Sequence, residues 1–340
     1  MPQGPAKGPR TGSSPSKAKE ARHIVVTDFA GLPYSKGLMA TSITATGISP
    51  SRAYLVAERI EDELLSTGRL EISREELRDI AATTLAEMIG DRYANTYRRW
   101  QSVADLELPL IVLIGGATGV GKSTIATQLA ARLGITRIVS TDAIREVMRS
   151  LFSENIMPTL HVSSFEADQA LRHPIPRSAD PVIVGFEEQV RAVAVGIQAL
   201  IERSVLEGTD LIIEGAHLVP GYLEGPWQEK AVHVPLIITV EDEDLHRSHF
   251  ALRSQDSRSR GVDKYLTSFA NIRKVQKYIR SLALQRGAHV IPSYSLDATL
   301  ANVVDHVVTA AVGRTADGNG AQPAKTAKTP AKARAPKEET

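Results

Sequence analysis

An α/β fold with a parallel sheet flanked by helices, preceded by a small and mostly helical unit, is the architecture this sequence predicts. Three observations carry that expectation. From Pro109 onward short apolar runs alternate with helical patterns, the mark of a parallel sheet. A glycine-rich loop, Gly116-Ala117-Thr118-Gly119-Val120-Gly121-Lys122-Ser123, stands directly between one such run and one such helix. Ahead of Pro109 the apolar residues follow helical spacing with clear start and stop signals. At 340 residues the chain exceeds the usual size of one domain. The expected division is a disordered tail at 1–22, a regulatory unit at 23–103, a catalytic unit at 104–312 and a disordered basic tail at 313–340.

The elements can be justified in order. Ile24, Val25 and Val26 make a short strand, residues 28–31 a turn and residues 32–34 a return strand. Ser35 caps a first helix that Gly47 ends. Ser49-Pro50 opens a second, whose inner face is Ala53, Val56, Ile60 and Leu64, closed by Gly68. Ser73 and Glu76 form a capping box for a third, with Leu77, Ile80, Ala81, Leu85 and Met88 on its inner stripe. A further helical stretch at 92–103 leads to Pro109. Strands are then expected at 110–114, 137–140, 211–214, 234–240 and 288–291, with helices at 122–133, 186–207 and 262–286.

Composition excludes several function classes. There is no cysteine, which removes disulfides, thiolate metal sites and cysteine nucleophiles. The formal net charge is +1, but the flanks are basic, as with Lys7, Arg10, Lys17, Lys19 and Arg22 against Glu20. The folded body is therefore mildly acidic, and nucleic acid is not the leading partner. No apolar run approaches the ~20 residues needed to cross a bilayer, and the first residues carry no secretory signal. A cytoplasmic location without membrane contact is expected.

The loop 116–123 satisfies the phosphate-binding pattern G-x-x-x-x-G-K-[ST] in full. Its glycines let backbone amides converge on phosphate oxygens, and the helix that follows adds the partial positive charge of its N-terminus. The expected nucleotide contacts are Gly116, Ala117, Thr118, Gly119, Val120, Gly121, Lys122, Ser123 and Thr124. Lys122 should bridge the β- and γ-phosphates of ATP, and Ser123 should ligate magnesium.

Residues at the other strand ends choose among kinase, ATPase and motor. Asp142 and Arg145 lie three apart on an opening helix, beside the crevice where such sheets bind ligands. Asp142 could accept the proton of an attacking hydroxyl while Arg145 holds an anionic acceptor. A helix-capping role for Asp142 competes with this, and the two are compatible. Glu214 ends the third strand and faces a magnesium-bound water or a substrate hydroxyl. Gly215 permits close approach there. His217 is either a ligand for a phosphate or carboxylate or a structural histidine bonded to backbone. Arg247, Arg253, Arg258 and Arg260 form an arginine-rich stretch, either a lid over the nucleotide or a solvated charged helix. Of these, Arg253 joins Lys122, Asp142, Arg145 and Glu214 as a catalytic candidate. His246 and His249 lack a third metal ligand nearby, which argues against zinc. The poorly periodic insert at 154–180, with His161, Ser163, Ser164 and Arg172, occupies the place of an acceptor pocket.

Taken together, the loop 115–124, Ser-Thr-Asp-Ala-Ile-Arg at 140–145 and Ile-Ile-Glu-Gly-Ala-His-Leu-Val-Pro-Gly at 212–221 resemble the 2-phosphoglycerate kinase family over about residues 105–300. That resemblance implies ATP-dependent phosphorylation of the 3-hydroxyl of 2-phosphoglycerate, with Lys122 and Ser123 serving nucleotide and magnesium, and Asp142 and Arg145 serving the acceptor. The Asp-x-x-Arg element is also similar to that of polynucleotide and zeta-type toxin kinases. The Glu-Gly-x-His element is similar to that of phosphoribulokinase and uridine kinase. The alternatives are therefore a kinase of a polynucleotide, sugar-nucleotide or nucleoside hydroxyl, or a non-catalytic nucleotide sensor. The unit from His23 to about Trp100 resembles an ATP-cone, which implies a regulatory nucleotide. Val26-Thr27 stand where a basic pair usually precedes the first turn, and Lys36 is either the cation placed to meet a phosphate or a solvated lysine.

Overall fold

The computed structural model describes residues 24–27, 32–104, 108–256 and 262–318. The expected turn at 28–31 and most of both tails lie outside these. In the N-terminal unit β1 (Val25–Val26) pairs antiparallel with β2 (Leu32–Pro33) and parallel with β3 (Glu71–Ile72). Two residues carry no periodicity, so β3 escapes a pattern-based reading; Ile72 is placed by its pairing with Val26. Three helices follow the expected punctuation: α1 (Lys36–Thr44), capped by Ser35; α2 (Pro50–Ser66), opened by Ser49-Pro50; and α3 (Arg74–Met88). The capping box forms, Ser73 Oγ accepting from the Glu76 amide and the Glu76 carboxylate from the Ser73 amide. Ala53, Val56, Ile60 and Leu64 are buried, as are Leu77, Ala81 and Leu85. Met88, expected on the inner stripe, is instead 42% exposed in the last turn of α3. The helix α4 (Asp91–Ala104) completes the unit and buries Tyr97.

The second unit is a five-stranded sheet, all parallel, built from β4 (Leu110–Gly115), β5 (Ile138–Ser140), β6 (Leu211–Gly215), β7 (Val232–Thr239) and β8 (His289–Pro292). Its order is β5-β6-β4-β7-β8, with β4 at the centre. Successive side chains of a strand point to opposite faces. Val112 and Ile114 accordingly join one apolar cluster, and Ile111 and Leu113 the other. Both faces are covered, which is why β4 reads as one unbroken apolar run rather than an alternation. The covering helices are α5 (Lys122–Leu133), α6 (Thr141–Leu151), α7 (Pro181–Glu207), α8 (Glu243–Asp256), α9 (Val262–Thr267), α10 (Phe269–Gln285) and α11 (Leu296–Gly318).

Three helix boundaries differ most from expectation. The long helix α7 starts at Pro181 rather than 186, because Asp180 caps it by accepting from the Val182 amide and Pro181 fits the first helical position. The apolar, β-branched run Val182-Ile183-Val184 hides that start. The helix expected over 262–286 breaks at Ser268, whose hydroxyl donates to Glu166 of the insert at 3.2 Å. Finally α11 continues to Gly318, past residue 313 where the basic tail is expected. Arg314 is part of that helix and donates to Gln228 O and Glu229 O at 3.2 and 3.1 Å. The two units pack together through α1 on α5 and α4 on α11, with Arg99 bridging to Asp305 and Thr309.

Candidate active site

The crevice lies at the C-terminal ends of β4 and its neighbours, where the chain departs to opposite sides of the central strand. There β4 runs into the glycine loop, with positive φ at Gly116, Gly119 and Gly121. Gly121 sits at the N-cap of α5 without a capping side chain, so the first-turn amides of α5 are left to a ligand. Lys122 is buried and its Nζ donates to Ala117 O at 2.8 Å, curling the ammonium over the loop. Ser123 Oγ donates to Glu214 Oε1 at 2.9 Å. Glu214 thus faces the hydroxyl expected to hold magnesium. A hydroxyl and a buried carboxylate this close form the oxygen donor set that a hard divalent cation prefers.

Beside this lies the start of α6. Ser140, not Asp142, caps α6, its Oγ accepting from the Ala143 amide at 3.1 Å. The Asp142 side chain is 72% exposed, with Oδ1 3.6 Å from Arg145 Nε. Arg145 Nη1 donates to Leu160 O and Val162 O at 2.7 and 3.2 Å, and Nη2 to Glu146 at 2.8 Å. The guanidinium therefore fastens the insert to α6. Gln189 of α7 does the same from the other side, its amide donating to Thr159 O and to Val162 O.

His217 is fully buried, and its ring bonds Gln189 Oε1 through Nε2 at 2.9 Å and Thr141 Oγ1 through Nδ1 at 2.8 Å. Because the Gln189 amide nitrogen is committed to carbonyls, its oxygen accepts, which assigns the imidazole proton to Nε2. Burial holds its pKa below the ordinary range, against a smaller opposing effect of Asp142. His217 is thus a neutral structural histidine, and its partners are side chains rather than the backbone expected. Gly215, next to it, approaches Thr141 so closely that a Cβ would overlap the Thr141 side chain.

The third wall is α8. His246 Nε2 donates to Thr118 O and His249 Nδ1 to Gly119 O, both at 2.8 Å. Arg273 of α10 donates to Val240 O and Glu241 O at 2.6 and 2.9 Å and reaches His246 Nδ1 at 3.4 Å. Sequence reasoning weighed the two histidines only as metal ligands and passed over Arg273. Their i, i+3 spacing marks one helix face but not what that face meets. Among the described residues no group of three or more histidine or acidic side chains could hold a metal. Of the arginines weighed as a lid or a solvated helix, Arg247 stacks over the Phe269 ring at 4.6 Å. The side chain of Arg253, along with Arg258 and Arg260, lies outside the described residues.

A cavity of about 240 Å³ opens beside the loop, lined by Gly121, Thr124, His249, Tyr294 and Ser295 among others. The segment 293–295 between β8 and α11 lines this cavity, and the sequence does not signal it. In the N-terminal unit, Lys36 pairs with Glu61 at 2.7 Å and with Glu58 at 3.7 Å, so carboxylates occupy the position expected for a phosphate. No helix among the described residues is long and apolar enough to cross a membrane.

With this geometry in view, the chain proves 40% identical over 292 residues to a 2-phosphoglycerate kinase of Methanopyrus kandleri, covering 86% of this chain and 88% of the relative. The 2-phosphoglycerate kinase of Thermococcus kodakarensis is 39% identical, covering 83% and 96%. The chain belongs to the 2-phosphoglycerate kinase family. No family model matches it. A gluconokinase from Sinorhizobium meliloti matches 63% of this chain and 97% of its own with TM-score 0.32 at 15% identity, too low to bear on the fold. The 292 matched residues exceed the length of the P-loop unit, so what this chain shares with the 2-phosphoglycerate kinase family reaches into the N-terminal helices.

Proposed function

We propose that this chain transfers the γ-phosphoryl group of ATP to the 3-hydroxyl of 2-phosphoglycerate, giving 2,3-bisphosphoglycerate and ADP. The observation that carries the reading is the convergence of a complete phosphate loop, Lys122 and the Ser123–Glu214 pair at one crevice, in a chain of this family. ATP would lay its phosphates on the loop amides, and Lys122 would exchange the Ala117 carbonyl for β- and γ-oxygens. The cavity bounded by Thr124, His249 and Tyr294 has room for the base. Magnesium, held by Ser123 with Glu214 behind it, would neutralise phosphate charge.

Asp142 is exposed toward solvent beside Arg145 and is the base we assign to the acceptor hydroxyl. The O–H proton passes to its carboxylate as the new O–P bond forms and the bond to the ADP oxygen breaks. Arg145 serves the acceptor through its charge and by fixing the insert that walls the pocket. Little covalent help is needed for such a transfer, so positioning and charge neutralisation supply most of the rate. Incubation with ATP and magnesium plus 2-phosphoglycerate, 3-phosphoglycerate, glycerate or an oligonucleotide, followed by product mass, tests the reading. Turnover of 2-phosphoglycerate alone supports it, whereas turnover of another acceptor, or nucleotide binding without any turnover, replaces it.

A regulatory nucleotide at the N-terminal unit belongs to the same proposal. Its phosphates would have to displace Glu61 from Lys36. Calorimetry should then give two ATP sites per chain, falling to one in Lys36→Met, and a single site in the unaltered protein removes this part.

A further inference from the structure

The phosphate-loop pattern fixes glycine at 116 and 121 and leaves 119 open, yet 119 is glycine here. Its φ is +89°, and a Cβ there would overlap the Phe250 ring of α8 and reach 3.0 Å from His246 Nε2. The α8 face is thus pressed against the loop, and His246, His249 and Phe250 all lie on it. His246 is wholly buried, stacked on Phe250 and edge-on to Phe269, with Arg273 directed at its Nδ1. Arg273 can only donate, so Nδ1 accepts and the ring proton sits on Nε2, aimed at Thr118 O. His249 aims Nδ1–H at Gly119 O.

Within a planar trans peptide the carbonyl and the amide of the next residue point opposite ways. Holding Thr118 O and Gly119 O toward α8 therefore turns the amides of Gly119 and Val120 to the other side of the loop. We propose that His246 and His249 are positioning residues that preset the phosphate loop, holding two of its peptides in the orientation that a polyphosphate requires. Preorganised donors spend nothing on reorientation when the ligand arrives, which is where their contribution to affinity and rate comes from. The proposal rests on the assignment of the loop as the ATP site but not on the identity of the acceptor.

The test uses amides as ring mimics, since an Asn side chain places N–H near the position of Nδ1 and a Gln near that of Nε2. Calorimetry on the full chain would compare His249→Leu with His249→Asn, and His246→Leu with His246→Gln. The probes are inorganic tripolyphosphate and ADP, each with magnesium. Each Leu variant should weaken both probes by the same factor, about five- to tenfold for one lost hydrogen bond. The Asn and Gln variants should recover most of that loss. Unchanged affinity overturns the proposal. So does a loss confined to ADP, which would make His249 a base contact. A loss of both that His249→Asn fails to restore also overturns it, because packing alone would then be responsible. If His246→Leu does not fold, the His249 pair decides. Unaltered protein that ignores tripolyphosphate removes this inference and the ATP site together. Protein that binds it but phosphorylates no acceptor removes only the kinase reading.

Discussion

Two carboxylates, Asp142 and Glu214, close the same crevice from adjacent strand ends, and their surroundings separate the roles proposed for them. Glu214 is buried and takes the Ser123 hydroxyl at 2.9 Å; Asp142 stands in solvent with Arg145 beside it. A buried carboxylate behind a metal ligand tunes the metal, and an exposed one next to an arginine can collect a proton. Asp142→Asn is expected to lower kcat on the order of a hundredfold while the magnesium dependence stays put. Glu214→Gln should instead raise the magnesium needed for half-maximal rate by about tenfold or more. Steady-state kinetics over a magnesium titration separates the two, and identical profiles for both variants would remove the distinction. Both residues are legible in the sequence because each stands within two residues of a strand end, and Lys122 and Ser123 are legible because they close the glycine-loop pattern. The Ser123–Glu214 contact is not, since it depends on which strands become neighbours, whereas the Ser140 cap is a local contact that the sequence reading weighed at Asp142 instead.

At the level of elements, the insert between α6 and α7 owes its shape to side chains rather than to regular structure. Gln189 is the hub: fully buried, it binds two insert carbonyls on one side and His217 on the other, and His217 continues to Thr141. Leucine at 189 would take this partner from Thr159 O and from the imidazole N–H, while Val162 O keeps Arg145, at about 1–3 kcal/mol per buried group left unsatisfied. The expected outcome of Gln189→Leu is a lower Tm and a raised KM for the acceptor, with the KM for ATP little changed. A KM for ATP that rises equally would mean the hub supports the whole crevice rather than the acceptor wall. Its spacing puts Gln189 on the buried stripe of α7 between Phe186 and Val193 but does not say what that stripe meets there. Its role exists only because α7 passes under the insert.

For the molecule as a whole, buried histidines tie stability to pH. Burial lowers the pKa of His246 from 6.5 to about 4, and burial shifts His217 in the same direction. Below pH 6.5 the unfolded chain takes up protons that the folded chain refuses until about pH 4. Their contribution is thus complete above pH 6.5 and is lost as the pH falls toward 4. Urea unfolding at pH 7 and pH 5 should show lower stability at pH 5, and His246→Gln should flatten that dependence by nearly one proton; an unaltered slope would show that the imidazole is not held neutral. The Arg99–Asp305 pair between the units is largely exposed and counts for little in this balance. What the sequence by itself determined is local: the helix caps at Ser35 and Ser73, the apolar run of β4, the glycine loop and the order of strands and helices. Each follows from residues within a few positions of one another, where backbone preference and periodicity act. Only the tertiary structure decided that Arg145 and Gln189 fasten the insert, that Glu61 occupies Lys36 and that His246 and His249 grip the phosphate loop. Those contacts join residues far apart in the chain, and a hydrogen bond depends on distances of a few ångströms that no one-dimensional pattern encodes.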